Sequence, residues 1–347
     1  VDRESSCRKK RTICEWEGVS FMVEITDDAP ASVEDELREL RTELDDRIPA
    51  KWLDHNLLIG TWNIRCFGNV TKKWVSTSSD SPKRDLHSLL CIAEIVSRFD
   101  VVAIQEVTGN LRALRYMLKY LNYPDPHWGL ILTDVTRGDP GHDERLAFVF
   151  DKRRANLSGL ACELVIPEDK VPDAEAATLR QFARTPYAVS FVSGNRTFIL
   201  VTLHVIYGNV SQREAELKKI AEWLSEWARQ VNAWDHNLIA LGDFNTNRRG
   251  DKLYDAFTST GLEAPQELHD VRRTIFADSA GESYYDQVAW FTGDQGAPRL
   301  SLEYTGRAGG FDFVDLVLKD RALSKTSLSW RISDHYPLYV EFSMEKD

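Results

Sequence analysis

The chain has 347 residues, with 54 acidic against 43 basic side chains and a net charge of −11 at pH 7. Hydrophobic residues at 43% and charged residues at 28% are globular usage and exclude a disordered chain; 19 glycines and 12 prolines exclude collagen-like or low-complexity sequence. The acidic balance weighs against a protein that coats nucleic acid through a basic surface, but not against an enzyme that handles phosphates through a metal ion, because cation-binding carboxylates themselves add negative charge.

Residues 1–31 are polar and irregular, although 21–25 has the pattern of a short strand. Arg8-Lys9-Lys10-Arg11 precedes no apolar segment of the signal-peptide kind, and no run approaches the roughly 20 apolar residues that span a bilayer. The five cysteines (Cys7, Cys14, Cys66, Cys91, Cys162) are scattered and odd in number, as reduced thiols of a cytoplasmic protein would be. Cys7 and Cys14 share one polar segment and could bridge. A helix then follows, with Ser32 as its cap and Asp35 three residues on. Val33, Leu37, Leu40, Leu44 and Ile48 make its apolar stripe, and Pro49 ends it. Its other face (Glu34, Asp35, Glu36, Glu39, Glu43, Asp45, Asp46) reads as solvated. Residues 1–50 thus form an N-terminal extension with an acidic amphipathic helix, and 51–347 a single domain.

From residue 57 short β-rich runs recur, at 57–62, 101–104, 146–150, 188–192, 198–203, 238–241, 287–291 and 338–342. Helical patterns fall at 86–98 and 111–121. A third starts at Ser211, where Glu214 completes a capping box and Leu217, Ile220, Leu224, Trp227 and Val231 lie on one side. Strands alternating with helices predict a layered α/β domain. The loops at 135–145, 167–186 and 264–283 are long, as loops that carry function often are.

Polar residues cluster where the strand patterns end: Asn63 and Arg65, Glu106, Glu144, His204, Asp243 and Asn245, Asp286, Asp334 and His335. Strand ends in a layered fold converge on one rim, so these side chains can meet. Asn63, Glu106 and Asp334 offer hard oxygens, suited to Mg²⁺ or Mn²⁺ and not to zinc, with Ca²⁺ a further candidate. Glu144 with His204, and Asp286 with His335, have the makings of carboxylate-oriented imidazoles. Asp243 and Asn245 flank Phe244, so both can face one side while Phe244 faces the core. One can accept a proton from water while the other donates to an oxyanion.

The ordered set resembles the endonuclease/exonuclease/phosphatase superfamily, most closely its deoxyribonuclease I-like members. Asn63-Ile64-Arg65 with Phe67-Gly68, Ile104-Gln105-Glu106-Val107, Glu144-Arg145, Arg184-Thr185-Pro186, Leu203-His204, Gly242-Asp243-Phe244-Asn245, Tyr285-Asp286, Phe311-Asp312-Phe313 and Ser333-Asp334-His335-Tyr336-Pro337 carry it, from about Leu57 to Phe342. The resemblance implies a four-layer α/β sandwich, two packed mixed β-sheets flanked by helices, and metal-dependent phosphodiester hydrolysis. It makes Glu106 the principal metal ligand with Asn63 beside it, and Asp334 a further metal-site carboxylate. His204 and His335 would flank the phosphate, held by Glu144 and Asp286. Asp243 would orient or deprotonate the attacking water, Asn245 would hold a phosphate oxygen, and Arg184 and Arg65 would contact phosphate. Which histidine is acid and which is base stays open.

The chain departs from the nuclease pattern where Thr108 replaces an arginine that enters the DNA minor groove and His142 replaces a tyrosine; the nuclease's disulfide pair is not recognisable. Arg248-Arg249 and Arg272-Arg273 read either as phosphate contacts or as solvated loop charges. The expected function is a divalent-metal-dependent nuclease acting on DNA by in-line water attack, without stable membrane association. The alternatives are a phospholipid, sphingomyelin or inositol-phosphate hydrolase of the same superfamily and, more remotely, a non-catalytic binding protein. Trp223, Trp227 and Trp234 read as packing rather than as a membrane wedge.

Overall fold

The computed structural model describes residues 23–136, 143–165, 182–230, 234–293 and 297–345. One sheet contains β1 (Asn56–Phe67), β2 (Val101–Thr108), β3 (Trp128–Leu132), β4 (Glu144–Asp151), β11 (Glu303–Gly310) and β12 (Leu338–Ser343). The other contains β5 (Asn156–Glu163), β6 (Tyr187–Ser193), β7 (Arg196–His204), β8 (Leu238–Asp243), β9 (Leu262–Glu263) and β10 (Asp286–Phe291). Their strand orders are β11-β12-β1-β2-β4-β3 and β5-β6-β7-β8-β10-β9. Helices α1 (Ala31–Arg47), α2 (Leu86–Val96) and α3 (Arg112–Leu121) cover the first sheet, and α4 (Val210–Arg229) and α5 (Lys252–Thr258) the second. A short α6 (Lys325–Ser329) precedes the last strand.

The two-residue side-chain period of a strand produces these layers. In β1, Leu57 and Ile59 enter the core between the sheets, while Leu58, Trp62 and Ile64 enter the core under α1 to α3. In β7 and β8, Phe198, Leu200, Ile239 and Leu241 face the first sheet, and Ile199, Val201, Leu238 and Ala240 face α4 and α5. Burying each large apolar side chain contributes about 2 kcal/mol, so the division between cores is strongly specified. The expected strands and the four expected helices are present. Sequence patterning missed β3, β5, β9, β11, α5 and α6, which are short or lie at sheet edges. Phe21 and Met22 lie outside the described residues, and Ile25 is buried in a turn, not a strand.

Three local expectations need correction. Ser32 does not cap α1; Pro30 occupies that position and its carbonyl accepts from the Val33 and Glu34 amides. Asn209, not Ser211, caps α4 through the Ser211 and Gln212 amides. Glu214 instead pairs with Lys252 at 2.9 Å. Glu36 is not on a solvated face: it is buried, accepts from the Leu318 and Lys319 amides, and meets His87 Nε2 at 3.0 Å. Together with the apolar stripe, it docks α1 onto α2 and the segment before α6. Val231 lies outside the described residues, as do Cys7 and Cys14; Cys66, Cys91 and Cys162 are free thiols.

Parallel neighbours β1 and β2, and β7 and β8, occupy the middle of their sheets. Antiparallel β4 and β10 begin where those strands end. The polar residues anticipated at strand ends therefore share one rim of the sandwich.

Candidate active site

At this rim the first sheet loses its regular pairing. The β1–β2 register shifts between Asn63 and Phe67, and the β2–β4 register shifts between Ile104 and Val107. Asn63 and Glu106 thus lie inside strands, not beyond their ends, at bulges that re-aim side chains. Glu106 has φ 58° and accepts from the Cys66 amide at 2.8 Å. Beneath them Gln105 donates to Thr61 at 3.1 Å and to Thr202 at 2.9 Å, joining the two sheets under the site.

Asp243 is the meeting point. Its Oδ1 accepts from the Asn245 amide at 2.8 Å, and its Oδ2 accepts from Asn63 Nδ2 at 3.0 Å. The same Oδ2 lies 3.6 Å from His204 Nε2 and 4.0 Å from His335 Nε2. Each imidazole is held from behind: His204 Nδ1 is 3.0 Å from Glu144 Oε2, and His335 Nδ1 is 2.6 Å from Asp286 Oδ2. Phe244 is fully buried against Phe257, and Asn245, at φ 50°, donates its side-chain amide to the Val205 carbonyl at 2.7 Å.

Burial pulls His335 toward the neutral form, but Asp286, Asp243 and Asp334 outweigh it and hold its pKa well above the usual histidine range. Burial likewise raises Glu144, yet His204 and Arg184 prevail and lower it. Arg184 is buried with its Nε 2.6 Å from Glu144 Oε2, and its Nη1 has no hydrogen-bond partner. Arg65 lies 3.4 Å from Asp334, donates to Ser329 at 2.7 Å, and stacks 3.9 Å above the Trp330 ring.

Several residues behind the rim were not legible in the sequence. Arg84 is buried and donates to the carbonyls of Arg65, Cys66, Arg331 and Ile332, so it ties the exit of β1 to the turn before Asp334. Ser333 Oγ donates to the Asn63 carbonyl at 2.6 Å and accepts from the Arg65 and His335 amides. Glu216 is buried near His204 and Arg184, and burial raises its carboxyl toward the neutral form. A basic residue in a loop and an acid on a helix carry no sequence signal for such roles.

Asn63, Glu106 and Asp334 border the same stretch of β1. Asn63 Oδ1 and Asp334 Oδ1 are buried without a hydrogen-bond partner, which is costly unless a cation or water completes them. This all-oxygen donor set fits Mg²⁺ or Mn²⁺. Glu36, His87 and Cys91 form another ligand-like trio with donor atoms within 4.8 Å of one another. There Arg321 donates to His87 Nδ1 at 3.0 Å, which leaves the ring proton on Nε2 facing Glu36 and gives no free imidazole lone pair.

The basic pairs divide. Arg273 is fully buried, stacks 3.8 Å from the Tyr284 ring and donates to the Asp286 carbonyl, so it is neither a solvated charge nor a phosphate contact. Arg272 pairs with Asp312, and Arg249 bonds His269 at 2.8 Å. Trp227 is buried and Trp223 packs against it, whereas Trp234 is exposed. His142 lies outside the described residues.

The sequence pattern described as the Endonuclease/Exonuclease/phosphatase family matches residues 60–335. Comparison with curated protein sequences finds no match. Among solved structures, a functionally unknown conserved protein from Enterococcus faecalis V583 is similar at TM-score 0.53 and 16% identity, over 82% of this chain and 99% of that one. D. rerio TDP2, complexed with single strand DNA product, is similar at TM-score 0.51 and 14% identity, over 83% and 98%. A mannosyl-6-phosphatase from Bacteroides thetaiotaomicron VPI-5482 is similar at TM-score 0.50 and 18% identity, over 82% and 99%. At these identities the likeness is one of fold.

Proposed function

We infer the function from one premise: this chain belongs to the endonuclease/exonuclease/phosphatase family, whose members hydrolyse phosphoester bonds. On that premise we propose a divalent-metal-dependent phosphodiesterase, specifically a Mg²⁺-dependent nuclease acting on DNA. The observation that carries the reading is the convergence of two carboxylate-backed imidazoles on Asp243, with His204 Nε2 at 3.6 Å and His335 Nε2 at 4.0 Å from one oxygen. A phosphodiester is anionic and repels hydroxide, so its site must supply positive charge and a positioned base together.

Asp243 orients the attacking water and takes its proton on Oδ2. His204 and His335 stand on either side of the phosphate, and His335, kept charged by Asp286, donates to an oxygen that gains charge. Asn245 gives its second amide hydrogen to a phosphate oxygen. Arg184 Nη1 and Arg65 neutralise the flanking charge. Asn63, Glu106 and Asp334 would hold the divalent ion, which when bound neutralises the phosphate and stabilises the leaving oxygen. Free thiols support a reducing, cytoplasmic setting, and no helix among the described residues is long and apolar enough to cross a membrane.

The test is a substrate panel of plasmid DNA, single-stranded DNA, RNA, sphingomyelin and inositol phosphates, each with Mg²⁺, Mn²⁺ or a chelator, and Asp243→Ala as control. Metal-dependent cleavage of DNA that disappears in the variant supports the nuclease. Turnover of lipid or inositol phosphate alone would overturn it.

A further inference from the structure

The hydrolytic centre uses none of the exposed aromatic side chains near it. Trp330 is 46% exposed although it is among the largest side chains in the protein. It follows α6 and carries the Arg65 guanidinium on its ring at 3.9 Å. Arg65 in turn is fixed by Ser329 at 2.7 Å and by Asp334 at 3.4 Å. Two more exposed aromatics are anchored beside the histidines. Tyr207 lies three residues beyond His204 and is 72% exposed. Phe276, also 46% exposed, directly follows Thr274 and Ile275, which pair with His335 and Asp334.

The cations that would follow a duplex backbone are mostly engaged elsewhere. Arg273 is buried, Arg272 pairs with Asp312, and Arg249 bonds His269. Thr108 offers no charge to a minor groove, and Arg145 donates to the Thr108 carbonyl. Among the described residues, Arg249, Arg272 and Arg273 are tied down, whereas Trp330, Tyr207 and Phe276 leave aromatic surface exposed.

We propose that Trp330, held in place by Arg65, is a stacking shelf for an unpaired base beside the scissile phosphate, which makes single-stranded DNA the substrate. The proposal rests on the phosphodiesterase reading of the same site. Base–aromatic stacking contributes about 1–3 kcal/mol per base and needs an open base face. A duplex offers that face only after unstacking, which costs a few kcal/mol. The cation–π contact with Arg65 fixes the indole before any base arrives, so little ordering remains to be done on binding.

The test measures kcat/KM on a single-stranded oligonucleotide, on its duplex, and on the same strand with abasic residues around the cut site. The wild-type chain should prefer the single strand to the duplex. It should prefer the base-bearing strand to the abasic one by about 5- to 150-fold, the stacking energy expressed as a ratio. Trp330→Ala should bring that ratio close to one, and Trp330→Phe should keep most of it. A ratio unchanged in Trp330→Ala, or a wild type that favours duplex, overturns the shelf while leaving the hydrolase reading intact. Metal-dependent cleavage of no DNA at all would overturn the shelf and the nuclease reading together.

Discussion

Replacing Gly242 with alanine should push His204 away from Asp243. Gly242 has φ 135°, in the region that L side chains rarely adopt. A Cβ built there would lie 3.0 Å from the Leu203 amide nitrogen and 3.1 Å from its carbonyl carbon, with the carbonyl oxygen nearer still. The obstacle is main chain, so no side chain can rotate aside. Leu203 pairs with Gly242, and His204 with Asp243, one step along the same β7–β8 ladder. Relief therefore requires the strands to part by about 1 Å next to the 3.6 Å approach of His204 to Asp243. Backbone strain of about 1–3 kcal/mol and overpacking of about 1–3 kcal/mol give an expected destabilisation of roughly 2–6 kcal/mol in urea denaturation. Activity on metal-loaded DNA, measured where the variant is folded, should fall on the order of 10²-fold for a displacement of that size. At an unstrained site the same substitution stabilises by about 0.4–1 kcal/mol, so even the sign is informative. A variant as stable as wild type and active within threefold would refute the reasoning.

Burial raises Glu216 to about 7 from 4.5, against the Ile206 and Ala183 amides and the charges of Arg184 and His204. The folded chain thus holds this proton more tightly than the unfolded one, and Glu216 costs stability as pH rises from about 4.5 through 7, by roughly 3 kcal/mol in all. Glu216→Gln should flatten that part of the pH–stability profile; melting curves between pH 5 and 8 that run parallel to wild type would contradict this. Asp286→Asn should lower kcat by on the order of 10³ by freeing the His335 ring from its charged partner; single-turnover cleavage measures it, and a loss below tenfold would remove Asp286 from the machinery. Glu36→Ala strands the Leu318 and Lys319 amides and should destabilise by roughly 3 kcal/mol. Limited proteolysis should then release α1, and unchanged protection would show that its apolar stripe suffices.

The strand–helix alternation, the two faces of each central strand and the order of the cleft's polar residues were legible because each has a sequence signature. Leu57 and Ile59 alternate with Leu58 because a strand has two faces, and Asp243-Phe244-Asn245 announces two polar side chains around a buried ring. Helix starts were less legible. Ser32 and Ser211 are as good capping residues as Pro30 and Asn209 are in context, and only the path of the entering chain decides between them. Edge strand β11 escaped notice because a half-exposed strand lacks a continuous apolar run, and β3 because its apolar run is only five residues long.

The deeper gap concerns polar side chains whose partners are main chain. Arg84 binds four carbonyls and no carboxylate; Glu36 binds backbone amides. Any residue can supply a carbonyl or an amide, so the partner leaves no mark on the sequence, and Lys83-Arg84-Asp85 reads as ordinary loop charge. Carboxylate–imidazole pairs are different, because the chain has only 8 histidines and a side-chain partner keeps its identity in the sequence. The groups proposed to react are therefore readable in order along the chain, whereas the buried side chains that tie the backbone around them are not. A buried Arg84 with no acidic partner is stable there only because the exit of β1 and the turn before Asp334 have fixed their carbonyls around it, which makes the cleft's geometry a property of the folded backbone and not of the motif residues alone.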